Sequence, residues 1–359
     1  MIQANEEQGM TPVKLGVIGC GVIGSANLKD AMASELVKVV AVADLRVSRR
    51  EWATSQGVPR VYEDGRDLLD QDPEVEAVII AFPAGTRTAM GLHALARGKH
   101  VLTEKPVAGN AREVRTLIAR SGDRVVACLS SRFRFFESAM KAREVVESGV
   151  LGDIRRLHVR ALLAGGPKND RVPPPWRESF CLNAGGILTN WSCYDLDYIL
   201  GTAGWAFRPK TVLAQTWECV PAFRCHVAPE SDADAWYSAF VLGQDGTVLT
   251  LERGEFMPQT TEMAWQISGT NGALHLGMLN TDDRRLVLNV GETEKGVTET
   301  VLWEGKDEKP GGNRLAIEDF ALAIRENRPP ATGMEQALIM MQITDAIYQS
   351  ARSGQAVDV

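Results

Sequence analysis

The first part of the chain alternates short apolar runs with helical segments, and this alternation constrains the fold more than any other feature. Strands separated by helices need right-handed crossovers, which build a parallel sheet with helices on both of its faces. We therefore predict a doubly wound α/β domain over residues 12–130. Its strands are predicted from apolar runs at residues 13–18, 37–43, 75–82, 100–103 and 125–129.

A glycine motif, Gly19-Cys20-Gly21-Val22-Ile23-Gly24, lies where the first strand meets the first helix. Gly19 permits a tight turn, Gly21 lets a pyrophosphate approach the backbone, and Gly24 lets the helix pack on the strand. The start of the helix, at Val22 and Ile23, offers unpaired N–H groups to phosphates. A Rossmann dinucleotide-binding domain is favoured, and a flavodoxin-like sheet with a glycine turn is the alternative.

A carboxylate at the end of the second strand supports the dinucleotide interpretation. Asp44 follows Gly24 by about 20 residues, where a carboxylate accepts hydrogen bonds from the ribose hydroxyls. We predict that Asp44 and the adjacent Leu45 contact the cofactor. Because a carboxylate repels the 2′-phosphate of NADP, NAD is the predicted cofactor. NADP remains an alternative, since nearby arginines could receive that phosphate: Arg46, Arg49 and Arg50.

The second half of the chain has a different hydrophobic pattern, which predicts a different kind of domain. Its apolar runs partly alternate with polar residues, as in strands with one covered face. We predict an α+β domain over residues 131–359, with a large, mainly antiparallel open sheet that binds substrate and contacts other subunits. A C-terminal helix over residues 334–349 is expected to pack back on the first domain. The predicted strands are residues 154–162, 235–242, 247–252 and 263–268.

Composition excludes several classes of partner. The net charge of -7 argues against nucleic acid and against an anionic membrane surface. No apolar run is long enough for a transmembrane helix, and the start lacks the basic and apolar regions of a signal peptide. The 6 cysteines have no metal-type spacing, so we expect reduced thiols, no metal site and a cytoplasmic protein. Residues 1–11 are expected to form a polar lead-in.

Three stretches, in this order, resemble the Gfo/Idh/MocA oxidoreductases, the family of glucose–fructose oxidoreductase and inositol dehydrogenase. They are the glycine motif, Glu104-Lys105-Pro106 after the fourth strand, and residues 185–197, GGILTNWSCYDLD. The resemblance implies a Rossmann domain followed by an α/β domain, bound NAD(P), and homodimers or homotetramers built through the open sheet. It also implies a small-molecule substrate with a sugar, glycoside or cyclitol hydroxyl.

The resemblance assigns roles to several residues. It implies that Lys105 is the active-site lysine, that Glu104 lies near the cofactor, and that a cis peptide bond often precedes Pro106. Pro83 is implied to lie under the nicotinamide ribose, and the pair Trp176-Arg177 near cofactor or substrate. Independently, Lys105 follows a parallel strand at its carboxyl end, where open α/β sheets bind ligands. Two arginines follow the fifth strand, Arg132 and Arg134, and both could bind a polar substrate. A surface role for at least one of them is equally expected.

Asn190, Tyr194 and Asp197 are spaced four and three residues apart, which places them on one face of a helix. The family pattern has Asp and His at the first two of these positions, so only Asp197 matches. Dihydrodiol dehydrogenases of the family resemble this chain in having Tyr at the His position. Tyrosine ionises near pH 10, and a nearby Lys105 would lower its pKa.

These residues lead to a hypothesis for proton transfer. The substrate carbinol gives hydride to the nicotinamide, and Tyr194 accepts the hydroxyl proton with help from Lys105. Asn190 holds an adjacent hydroxyl, and Asp197 orients the lysine or the substrate. In a competing assignment Lys105 is the base and Tyr194 only donates a hydrogen bond.

The leading functional prediction is an NAD(P)-dependent dehydrogenase or reductase acting on a sugar, glycoside or cyclitol. One alternative is a glycosidase that keeps NAD bound and cleaves through transient oxidation. Another is a non-catalytic NAD-binding sensor, because the Asp and His of the family pattern are replaced. His226, in a loop of the second domain, could reach the active site or lie on the surface.

Overall fold

The computed structural model describes residues 10–307 and 311–359. The expected lead-in over residues 1–11 falls almost wholly outside them. The first half forms a six-stranded sheet in the order β3-β2-β1-β4-β5-β6, and every pairing in it is parallel. The strands are β1 (Val13–Ile18), β2 (Val37–Ala43), β3 (Arg60–Tyr62), β4 (Ala77–Ile80), β5 (His100–Thr103) and β6 (Val126–Cys128).

Five helices connect these strands and confirm the predicted Rossmann-type domain. The strand order reverses between β1 and β4, so the carboxyl ends of these strands open a crevice of the kind that binds ligands in such sheets. The helices are α1 (Val22–Met32), α2 (Val47–Ser55), α3 (Gly65–Gln71), α4 (Ala84–Ala96) and α5 (Ala111–Ser121). The sequence did not predict β3 and α3, because an edge strand of three residues carries too little periodicity.

The second half forms a nine-stranded sheet in the order β14-β13-β12-β11-β7-β10-β9-β8-β15. Its described pairings are antiparallel except that between β7 and β10. This confirms the predicted mainly antiparallel sheet. The strands are β7 (Ile154–Ala164), β8 (Pro209–Trp217), β9 (Trp236–Gly243), β10 (Val248–Met257), β11 (Glu262–Gly269), β12 (Gly272–Leu276), β13 (Arg285–Glu292), β14 (Gly296–Glu304) and β15 (Val357–Asp358).

One helix of the second half is surrounded by other elements of the structure. Helix α8 (Ile187–Thr202) is buried at every position except Trp191, as expected of a helix surrounded by other elements. The other helices are α6 (Glu137–Glu147), α7 (Phe180–Asn183), α9 (Gly312–Glu326) and α10 (Met334–Ser353), with 3₁₀ helices at Leu129–Phe135 and Pro221–His226.

Two C-terminal helices pack against the first domain. Phe320 of α9 is buried in the same apolar cluster as Val13 and Leu15 of β1. In α10, the carboxylate of Asp345 accepts the backbone N–H of Ala111 at 2.9 Å. Residues assigned by sequence to the second domain thus complete the core of the first, and the boundary near residue 130 stays a prediction. No described helix combines the length and the apolar character needed to cross a membrane.

Candidate active site

A cleft of about 580 Å³ lies where the carboxyl ends of the parallel strands meet helix α8. Its size is within the range of small-molecule and cofactor sites. The cleft brings together most of the residues predicted from the sequence, although they come from both halves of the chain. The predicted residues that line it are Gly19, Gly21, Val22, Ile23, Asp44, Pro83, Glu104, Lys105, Arg132, Trp176, Asn190 and Tyr194.

The glycine loop has the shape that a dinucleotide pyrophosphate needs. Gly19 has a φ of 91°, and a Cβ there would lie 2.6 Å from the carbonyl oxygen of Ala81. A Cβ on Gly24 would lie 1.9 Å from the oxygen of Gly19, so helix and strand approach too closely for a side chain. At Gly21 a Cβ would meet only the Arg46 guanidinium, at 3.7 Å. The backbone at Gly21 is therefore open to the cleft, and the loop fits the cofactor.

Asp44 fixes the loop that follows β1. Its Oδ2 accepts the backbone N–H of Cys20 at 2.7 Å, and its Oδ1 accepts that of Arg46 at 2.9 Å. Arg50 donates to the carbonyl oxygens of Asp44 and Leu45, so its guanidinium holds the turn. Leu45 is 74% exposed and lines an adjoining cavity of about 500 Å³, which extends the cleft. Asp44 thus lines the cleft, and Leu45 lines the space that continues from it.

The Glu104-Lys105-Pro106 loop is held from below by residues that the sequence did not single out. Arg87 of α4 is buried and donates to the carbonyl oxygens of Phe82, Glu104 and Pro106. The carboxylate of Glu104 accepts a hydrogen bond from the buried Asn27 amide at 2.8 Å. The Lys105–Pro106 peptide bond is cis. An arginine within the apolar pattern of α4 was the available signal for this support.

Lys105 lines the cleft and contacts helix α8. Its Nζ donates to the backbone oxygen of Asn190 at 2.7 Å and to the side-chain Oδ1 at 3.0 Å. It also lies 4.8 Å from the centre of the Tyr194 ring. Burial lowers the pKa of the Lys105 ammonium below its ordinary value. Asn190 therefore orients a lysine that gives up its proton more readily than an exposed one.

Tyr194 does not have the environment expected of a base. Its ring packs edge-on against Phe133 and Trp191, with centroid distances of 5.1 and 5.4 Å. The guanidinium of Arg132 lies over the same ring at 4.2 Å and also donates to the side-chain oxygen of Asn313 at 3.4 Å. Burial raises the pKa of Tyr194 well above its ordinary value. The expectation that Lys105 lowers this pKa is wrong, because desolvation outweighs the nearby cations.

Asp197 does not line the cleft, so its expected role beside the lysine or substrate is not supported. It is fully buried, and its Oδ1 accepts from Arg134 Nε at 2.5 Å. Its Oδ2 accepts from the hydroxyls of Ser130 at 2.5 Å and Thr332 at 2.6 Å. Two helical turns separate Asp197 from Asn190, and α8 has by then passed into the interior. Arg134 is consequently structural, whereas Arg132 reaches the cleft.

A second cavity of about 440 Å³ adjoins the cleft and shares Trp176, Asn190 and Trp191 with it. Arg177 lines this second cavity, and its guanidinium pairs with the carboxylate of Glu255. His226 also lines it, so its loop comes near the site without contacting Lys105. Neither Glu255 nor its neighbour Phe256 was a candidate from sequence.

The fold and the cleft are those of a protein with a dinucleotide-binding Rossmann domain followed by a C-terminal α/β domain. A family model described as "Oxidoreductase family, NAD-binding Rossmann fold" matches residues 13–128. The companion model, "Oxidoreductase family, C-terminal alpha/beta domain", matches residues 143–359. The chain belongs to the Gfo/Idh/MocA family. The resemblance seen in its motifs and the predicted NAD-binding Rossmann domain are thereby confirmed.

Individual relatives show how far the similarity extends. Myo-inositol 2-dehydrogenase of Thermotoga maritima is 29% identical over 195 residues, which cover 53% of this chain and about half of that enzyme, 55%. The scyllo-inositol 2-dehydrogenase (NAD(+)) of Bacillus subtilis is 24% identical, with 97% of this chain and 96% of that enzyme covered. Levoglucosan dehydrogenase in complex with NADH shares the fold, with a TM-score of 0.82, 20% identity and coverage of 97% and 99%.

Proposed function

We propose that this protein is an NAD-dependent dehydrogenase that oxidises one hydroxyl of a sugar, glycoside or cyclitol, with Lys105 as the proton acceptor. The observation that carries this proposal is the position of Lys105. It stands at the carboxyl end of β5, in the cleft that the glycine loop enters, and is held by Asn190. The substrate class is supported by the names of the relatives, which include two inositol dehydrogenases.

The contacts of Lys105 suggest how it handles a substrate hydroxyl. As a neutral amine, Lys105 has two N–H groups and one lone pair, and it donates both N–H groups to Asn190. The lone pair is then directed to the hydroxyl proton of the substrate. Bound NAD supplies the acceptor for the carbinol hydride, so the hydroxyl proton must leave to a base at the same time. A lysine whose pKa is lowered by burial is suited to accept it.

The other residues of the cleft serve binding. Tyr194, neutral because burial raises its pKa, can donate a hydrogen bond to the substrate but is a poor base. The guanidinium of Arg132 and the indole of Trp176 line the same space and can contact the remaining hydroxyls. In the reverse direction, protonated Lys105 would return its proton to the ketone oxygen.

A substrate screen tests the proposed activity. We expect NADH formation, followed at 340 nm, with at least one member of a panel of inositols, aldoses, polyols and glycosides. NAD should support a kcat/KM at least 10-fold above that with NADP, because the Asp44 carboxylate repels a 2′-phosphate. Release of an aglycone without net NADH would instead indicate the glycosidase alternative. Tight NAD binding with no turnover on any compound would indicate a sensor.

Replacement of Tyr194 by phenylalanine separates the two proton-transfer assignments. We expect kcat to fall by about 10-fold, the effect of losing one hydrogen bond, while the pH dependence of kcat keeps its inflection. The ring contacts with Phe133 and Trp191 should persist. Tyr198→Phe is the matched control, since its hydroxyl donates to the Gly277 oxygen away from the cleft. A loss of about 1000-fold in Tyr194→Phe, with disappearance of the inflection, would make Tyr194 the proton acceptor.

A further inference from the structure

The second cavity has lining residues that take no part in the proposed transfer at Lys105, among them Arg171, His226 and Phe256. Its volume of about 440 Å³ is itself sufficient for a small ligand. It borders the cleft at Trp176, Asn190 and Trp191, which line both spaces, and Asn190 is the residue that holds Lys105. A molecule that reacts at Lys105 and extends past Asn190 would therefore enter this cavity.

The far wall of the cavity is built by a distortion of strand β10. The pairing of β10 with β7 shifts register between Gly254 and Met257, which leaves Glu255 and Phe256 outside the regular ladder. Phe256 has a φ of 57°, a left-handed conformation that bulky residues rarely adopt. Backbone strain of this kind persists where the surrounding structure enforces it, often at ligand sites. Here it directs an aromatic ring into the cavity.

The side chains around the cavity provide flat apolar surfaces. The Phe256 ring stacks on His226 with a centroid distance of 4.9 Å and an interplanar angle of 9°. On the shared wall, Trp191 lies against the Arg253 guanidinium, 4.6 Å from the ring centre. That guanidinium is buried and paired with Asp195 at 2.7 Å, so the indole is fixed from behind.

Polar groups at the edges complete the chemistry of the site. The same cavity is lined by Asn169, Arg171 and Arg177. The positive charge of Arg177 is balanced by the carboxylate of Glu255. A pyranose ring has apolar C–H faces and a rim of hydroxyls, so it complements aromatic surfaces bordered by amide and guanidinium donors.

We propose that the second cavity binds a sugar ring that is joined by a glycosidic bond to the ring reacting at Lys105. The preferred substrate is then a glycoside and not a free monocyclic sugar or cyclitol. This inference rests on the proposed function for the identity of the reacting site. It adds a residue-level assignment, because Phe256 and His226 contact only the second ring.

Phe256→Gly tests the assignment by removing the ring at a position whose φ of 57° glycine adopts freely. We would load the wild-type protein with NADH and titrate it calorimetrically with two matched pairs: D-glucose and cellobiose, and myo-inositol and its galactoside. For at least one pair, the glycoside should bind about 10-fold more tightly than the single ring. In Phe256→Gly that ratio should approach one, while affinity for the single ring stays unchanged. Phe240→Ala is the control, an exposed phenylalanine on β9 that lines neither cavity.

The outcomes separate this inference from the proposed function. Equal affinities within both pairs in the wild type, or a preference that survives in Phe256→Gly, would overturn the second-ring site. Failure of every compound to produce NADH would overturn the dehydrogenase proposal. In that case, the ratio of the affinities for glycoside and single ring would still test whether the second cavity binds a second ring.

Discussion

Lys105→Met is expected to reduce kcat for polyol oxidation by about 1000-fold while leaving NAD binding nearly unchanged. A positioned acid or base contributes about 100- to 10,000-fold to the rate of such a reaction. Methionine retains the buried aliphatic stem of the lysine but accepts no proton. The variant also loses both hydrogen bonds to Asn190. Stopped-flow measurement of NADH formation under single-turnover conditions gives the effect on chemistry, and a separate NADH titration gives cofactor affinity.

The pH profile adds a second criterion for the same variant. Lys105 accepts a proton only as the neutral amine, so the wild-type oxidation rate should rise as pH increases through the lysine pKa. Because burial lowers that pKa, the inflection should lie below the ordinary value of 10.5. Ketone reduction needs the protonated form and should fall over the same pH interval. Both inflections should vanish in Lys105→Met.

Lys99→Met provides the matched control. Lys99 is also partly buried and also donates to a backbone oxygen, that of Val75 at 2.6 Å, but it lies outside the cleft. Its replacement should leave kcat and the pH profile intact. If Lys105→Met retained kcat within 10-fold and kept the wild-type inflection, another group would be the proton acceptor.

The parts of the fold that the sequence predicted are those with a strong local signal. Strands β1, β2 and β5 form over the predicted residues, because a buried parallel strand is a continuous apolar run bounded by polar or turn residues. Strand β14 was missed because its sequence, GVTETVLWE, mixes polar and apolar residues and it lies largely exposed at the sheet edge. Its strand conformation depends on pairing with β13, which no local pattern reveals.

The residues of the candidate site also differ in how far the sequence could predict them. The glycine loop and Lys105 could be placed from sequence because their positions follow from where strands end. Arg87 interrupts the apolar pattern of α4, but the carbonyl oxygens that it binds could not be predicted from that pattern. The position of Phe256 depends on the pairing of β10 with β7, which no local pattern reveals. For Tyr194, helical spacing gave the correct side of α8, but its pKa depends on burial by residues such as Phe133.

Asp197 shows the limit of helical spacing most clearly, and its replacement carries the largest expected effect on stability. Seven residues along a helix return to the same face but move about 10 Å along the axis. That distance takes Asp197 from the cleft into a buried network with Arg134, Ser130 and Thr332. Asp197→Ala leaves the largely buried guanidinium of Arg134 without its carboxylate. Breaking a buried ion pair in this way costs about 3–5 kcal/mol of unfolding free energy.

Urea denaturation of Asp197→Ala, followed by tryptophan fluorescence, measures this loss as a lower midpoint at similar m-value. Asp153→Ala is the control, since its side chain is 77% exposed and pairs with Arg155 on the surface. We expect it to change the free energy by less than about 1 kcal/mol. The kcat of folded Asp197→Ala should stay within about 10-fold of wild type, because the carboxylate touches neither Lys105 nor the cleft. A small change in stability combined with a loss of kcat of about 100-fold would show that Asp197 acts in catalysis and not in stability.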